Sequence, residues 1–141
     1  MSGRARVTRD AKLAYRRLLD AMGDGRLDDL AERHDLLLLA AHGSAARDEE
    51  DPRDLDLAFL GGPETDLLAL REELYDLTGY EDLDLADLGR ADAIGRGMIL
   101  QDAVGLYERH AGFWAEYRAT AVTRYAADRW MLDLQLDAMP R

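Results

Sequence analysis

Asp54 and Asp56 stand two residues apart in the run Asp54-Leu55-Asp56-Leu57. On an extended backbone both carboxylates point to one side and both leucines to the other. The pattern recurs around Asp84, with Asp82 on its face and Leu83 and Leu85 opposite. Upstream, Gly43-Ser44 follows the apolar run Leu36-Leu37-Leu38-Leu39-Ala40-Ala41. A glycine there lets backbone approach a ligand closely, and the following hydroxyl and free amides suit a phosphate.

Carboxylates gathered in one place repel one another, and one of them is driven to a high pKa unless a cation joins them. Mg²⁺ fits, because it takes a few carboxylate oxygens together with substrate phosphates. The chemistry this implies is in-line attack on the α-phosphorus of a nucleotide, with pyrophosphate leaving. Aspartate is a poor strand former. A pair of them on an apolar-alternating strand, soon after Gly43-Ser44, is therefore more than a solvated sheet face needs.

The elements that must position these groups are legible from periodicity. Residues 9–22 have helical spacing, with Leu13, Leu18, Leu19 and Met22 near one face. Gly23-Asp24-Gly25 breaks it and 26–34 forms a second short helix. Residues 36–41 read as a strand buried on both faces. A polar stretch from Ala45 to Arg53 leads to an alternating strand over 54–60, stopped by Gly61-Gly62-Pro63. Residues 65–78 form a helix, with Thr65 as its cap, Leu67, Leu68, Leu70, Leu74 and Leu77 as its stripe, and Gly79 at its end. A third strand over 81–88, a helix over 91–101, an edge strand over 104–107 and a long aromatic helix over 112–138 complete the chain. The expected fold class is α+β: a small mixed sheet in two layers, with helices packed on one face. Residues 1–141 are read as a single domain, its core at about 30–110 and its C-terminal helix at 111–139.

Composition sets the class of partner. The 141 residues are 48% apolar and 33% charged, as in a folded globular protein, and carry a net charge of −11. So acidic a chain does not displace counterions from nucleic acid, which excludes a polymerase-like role on long DNA or RNA. A basic protein or a small substrate carried with metal ions fits better. There is no cysteine, hence no disulfide and no thiolate chemistry. The basic N-terminus, Met1 to Arg6, leads into a charged helix and not an apolar signal core, and no run is long enough to span a bilayer. The expected location is cytoplasmic.

On these residues the chain resembles the minimal nucleotidyltransferases, the MNT proteins of the polymerase-β-like superfamily. Gly43-Ser44-Ala45-Ala46-Arg47 followed by Asp54-Leu55-Asp56 is similar to the family's Gly-Ser-x-Ala-Arg-Gly…Ser-Asp-x-Asp signature. Asp84-Leu85-Ala86-Asp87-Leu88 resembles its third-aspartate strand, and the likeness runs over roughly 30–110. It implies that Gly43, Ser44 and Arg47 hold the triphosphate of ATP, that Asp54, Asp56 and Asp84 bind Mg²⁺ and form the catalytic set, and that Asp84 accepts the nucleophile's proton. It further implies an antitoxin that transfers AMP to a tyrosine of a partner HEPN ribonuclease toxin. The sequence departs from the signature at Asp48, where the family has glycine, at Arg53, where it has serine, and in a Ser44–Asp54 interval one residue shorter than is common.

Two other readings stand beside it: an antitoxin that neutralises its toxin by occlusion with a slow or vestigial site, and an antibiotic nucleotidyltransferase. Ser44 lacks a nearby base for a nucleophilic triad, and no residues have zinc-ligand spacing. His42 reads as a hydrogen-bonded structural residue, and His34 and His110 as isolated. Phe113, Trp114, Tyr117, Val122, Tyr125, Trp130 and Leu132 cover more than one stripe of the last helix, which leaves core packing and a protein interface both open.

Overall fold

The computed structural model describes residues 3–140, and Met1, Ser2 and Arg141 lie outside the described residues. Helices α1 (Ala11–Asp24) and α2 (Arg26–Arg33) lead into β1 (Leu36–His42), a single helical turn α3 (Gly43–Ala46) and β2 (Asp56–Gly61). Then come α4 (Leu67–Thr78), β3 (Asp84–Asp87), α5 (Ala93–Gln101), β4 (Val104–Glu108) and the long α6 (Phe113–Ala138). The strands form one sheet in the order β3-β2-β1-β4. β1 is antiparallel to both β2 and β4, and β2 is parallel to β3. The mixed sheet and its helices make an α+β fold.

Alternation along the strands sends side chains to two different packing layers. Leu39 and Ala41 of β1, Leu57 and Phe59 of β2 and Leu85 of β3 enter the larger core, with Leu18 of α1, Leu27 and Leu30 of α2 and Leu70 and Leu74 of α4. Leu38, Ala58, Leu60 and Ala86 face the other way, into a smaller cluster with Leu100 of α5 and Phe113, Trp114, Tyr117 and Ala121 of α6. Helices therefore stand on both faces of the sheet. The expectation of a single covered face holds for α1, α2 and α4, while α5 and α6 take the second, because β2 presents Ala58 and Leu60 there as well as Leu57 and Phe59 on the first. Asp10, Asp66 and Asp92 cap α1, α4 and α5 by accepting bonds from first-turn amides.

Several boundaries differ from the sequence reading. Asp66, not Thr65, caps α4; the Thr65 hydroxyl instead accepts from the Gly62 amide at 3.0 Å and meets the His34 carbonyl at 2.9 Å, tying the end of β2 to the start of β1. Leu67 and Leu68 are solvent-exposed, and α4 buries Leu70, Leu74 and Thr78. On α1 the buried stripe is Ala11, Ala14, Leu18 and Ala21, with Met22 exposed. β3 is shorter than expected because it pairs only with residues 56–59 of β2. Among the described residues no helix is long and apolar enough to cross a membrane.

Candidate active site

β1 ends at His42, which lies opposite Asp56 at the start of β2, and Asp56 in turn lies opposite Asp84 at the start of β3. The three form a row across neighbouring strands spaced about 4.8 Å apart. By parity they share the face of Ala58, Leu60 and Ala86; His42 and Asp56 are half-buried there and Asp84 is exposed.

The chain leaves β1 through Gly43, whose φ of 75° lies in the left-handed region that favours glycine. A Cβ on Gly43 would overlap Asp56 Oδ2 and lie 3.3 Å from its Cγ. Backbone and carboxylate thus meet at the closest approach a residue without a side chain allows. The turn α3 that follows has no side-chain cap, so its leading amides are left for a ligand. Ser44 is half-buried in that turn, while Arg47 is exposed and pairs with Glu49 at 3.2 Å.

Electrostatics marks the same cluster. Loss of solvation on burial is the main cause that raises the Asp56 carboxyl above the ordinary aspartate range; His42 opposes it, and the Asp84 and Asp54 carboxylates add to it. Burial is also the main cause that lowers His42, against the pull of Asp56 and Asp84. His42 Nε2 is buried without a hydrogen-bond partner, while a hydrogen bond with the Leu57 backbone ties the residue to β2. The Arg47 charge lowers both groups. Asp54 lies just outside β2 and is exposed, as are Asp82 and Asp84.

Tyr80 is a part of the site that sequence reasoning passed over. It is buried, and its hydroxyl meets the Arg53 carbonyl at 3.3 Å, directly before Asp54. Burial raises its pKa, with Asp54, Asp82 and Asp56 contributing after it. Its only signal in the sequence is an aromatic placed before an acidic strand. Arg71 donates to the Leu83 carbonyl at 2.8 Å and fixes the entry to β3 from α4. The departure at Asp48 has a structural counterpart: φ there is 56°, so aspartate holds a left-handed conformation that glycine would adopt more easily.

The residues fit a Mg²⁺–nucleotide on the chemistry of the donor set, since this ion takes one or two carboxylates with phosphates and water completing its shell. They do not form a closed cage: among the described residues no three His, Asp or Glu side chains are drawn together tightly enough to hold an ion by themselves. A hollow of about 620 Å³ lies among the N-terminal segment, α1, α2 and α4, and includes none of the three aspartates.

No protein-family model matches the chain, and no curated protein does. Solved structures do. A toxin–antitoxin with AMP-PNP matches with a TM-score of 0.60 at 18% identity, over 82% of this chain and 98% of that one. A variant of the MntA toxin–antitoxin with two Asp→Glu changes gives 0.59 at 18%, with the same coverage. A tri-AMPylated Shewanella oneidensis HEPN toxin in complex with MNT antitoxin gives 0.52 at 19%, over 83% and 98%. The chain has the fold of the MNT antitoxins. Within this fold, the row His42–Asp56–Asp84 crosses three neighbouring strands beside the turn at Gly43.

Proposed function

We propose that this single-domain chain is a Mg²⁺-dependent nucleotidyltransferase that moves AMP from ATP to a tyrosine hydroxyl of a HEPN-type ribonuclease toxin, and so serves as its antitoxin. The observation that carries the reading is the contact between Gly43 and Asp56, which brings uncapped backbone amides and a desolvated carboxylate to one point. Phosphate donors and a metal ligand are needed there together.

In this reading the amides after Gly43, with the Ser44 hydroxyl and Arg47, hold the triphosphate. Asp54, Asp56 and Asp84 would hold Mg²⁺, which would supply charge neutralisation to the phosphates and the departing pyrophosphate. The acceptor oxygen attacks the α-phosphorus, the bond to the β-phosphate oxygen breaks, and the hydroxyl proton passes to the Asp84 carboxylate. Fold neighbours whose names include AMP-PNP and an AMPylated HEPN toxin support the choice of nucleotide and partner. The acidic net charge of −11 supports a basic partner over nucleic acid.

Incubation of the pure protein with labelled ATP, Mg²⁺ and the product of the neighbouring gene tests the proposal. Label should appear on the partner with the native chain and not with Asp54→Asn/Asp56→Asn. An unlabelled partner, or equal labelling by both, rejects it.

One observation favours a second reading, in which the antitoxin acts by occlusion with a slow site: Asp54 and Asp84 are exposed and no ready-formed three-ligand group exists among the described residues. A double-aspartate variant that still silences the toxin in a stable complex decides for occlusion.

A further inference from the structure

α6 changes character along its length. Its first half packs Phe113, Trp114, Tyr117 and Ala121 onto the second core cluster, and Tyr125 sits so close to Gly97 of α5 that any Cβ there would overlap its ring. From Arg129 to Met139 every residue is exposed, and Leu132 and Leu136 continue the packed stripe at i and i+4 with nothing against them among the described residues. The ten helical residues 129–138 reach about 15 Å past the body of the protein. So large an unpartnered apolar surface marks an interaction site.

The same chain carries a matching receptacle. A groove of about 380 Å³ runs between α5 and the first half of α6, lined by Ala93, Phe113, Tyr117, Thr120 and Ala121, with Arg96, Glu116 and Arg124 as its charged residues. Its stretch of α6, residues 113–124, is about 17 Å long, close to the length of the overhang. The charges are complementary as well. The overhang carries Arg129, Asp133 and Asp137, preceded by Asp128, while two arginines and one glutamate line the groove, so the two surfaces are opposite in summed charge. Arg96 makes no ion pair among the described residues, and Arg124 has only an exposed Asp128 at 3.4 Å.

We propose that the overhang of α6 in one chain lies in the α5–α6 groove of a second copy, the two α6 helices running antiparallel about a two-fold axis near their midpoint. A projection and a groove on the same chain, used reciprocally, close after two copies. The axis sets Thr120 of one chain near Leu132 of the other and brings Asp133 and Asp137 to the Arg96–Arg124 rim. The net charge of −11 per chain opposes association, so added salt strengthens the pair by screening. This interface stands apart from the nucleotidyl-transfer reading and does not depend on it.

Sedimentation and light scattering on the full chain at micromolar concentration should give twice the chain mass. Leu132→Asp/Leu136→Asp alters only exposed positions, so its circular dichroism should match the native chain while its dimer dissociation constant rises about a hundredfold or more. Because the chain has no cysteine, oxidation of an equal mixture of Thr120→Cys and Leu132→Cys chains reads the register directly: the mixed disulfide should dominate, and Asp20→Cys should link to neither. A monomer throughout, a dimer that survives the double aspartate, or a dimer without the 120–132 link overturns the proposal. A monomer whose overhang binds only the toxin assigns that surface to the heterologous partner and overturns it equally.

Discussion

Gly43 and Asp56 are in contact at a point where only glycine fits, for the left-handed backbone and the carboxylate both exclude a Cβ. Gly43→Ala should cost about 1–2 kcal/mol for the left-handed conformation and displace Asp56 as well. A shift of that kind reduces transfer by about a hundredfold. Urea unfolding beside AMP incorporation checks this: activity should fall much further than stability, and parallel loss would show that Gly43 serves the fold alone.

Asp56→Asn separates stability from activity by pH. The folded chain holds the Asp56 proton more tightly than the unfolded chain does, chiefly because the group is desolvated. Its contribution to stability is therefore full below the ordinary aspartate pKa of about 3.9 and is lost as pH rises through the elevated folded value. The variant should be more stable than the native chain at neutral pH, and the difference should close on acidification. Its transfer rate should drop by about 10³-fold, corresponding to several kcal/mol of lost metal-assisted catalysis. Denaturation at the two pH values and a rate assay read both effects.

Asp48 and Asp35 share a φ of 56° and should respond oppositely to glycine. Among the described residues Asp48 makes no side-chain bond that glycine would forfeit, so Asp48→Gly should stabilise by about 0.5 kcal/mol through relief of strain. It should also lower the Tyr15 pKa, which burial raises first and Asp48 second. Asp35 accepts from Arg109 at 2.5 Å and from the Glu64 amide at 3.0 Å, so Asp35→Gly should destabilise. Thermal melts and an ultraviolet tyrosine titration distinguish the cases.

Tyr80→Phe removes the bond to the Arg53 carbonyl and leaves that carbonyl in a half-buried setting. About 1 kcal/mol of stability should be lost. Because the bond precedes Asp54, the Mg²⁺ concentration for half-maximal transfer should rise while the rate at saturating Mg²⁺ changes less. A fall in saturated rate with unchanged Mg²⁺ dependence would place Tyr80 outside metal positioning.

Much of the fold was legible because periodicity there follows from burial. The unbroken Leu36–Ala41 run is a strand with neighbours on both sides, and Asp56-Leu57 alternates because Leu57 enters the larger core while Asp56 is only half-buried. What local pattern does not encode is which cover each face receives. Hence the second helical layer emerges only in the folded chain, as does the exposure of Leu67 and Leu68, which lie on α4 beside a cap supplied by Asp66. Candidate site residues were legible by type and spacing. Their alignment was not, because the pairing of His42 with Asp56 and of Asp56 with Asp84 depends on strand register. His42 and Tyr80 were undervalued for the same reason, since their neighbours are distant in sequence.

The exposure of Asp54 and Asp84 has a kinetic corollary for the proposed transfer. Where solvent reaches the carboxylates, water competes with any acceptor for an activated phosphorus. On that reading a docked protein surface closes the chamber, turnover waits on its arrival, and nucleotide held without an acceptor is open to hydrolysis.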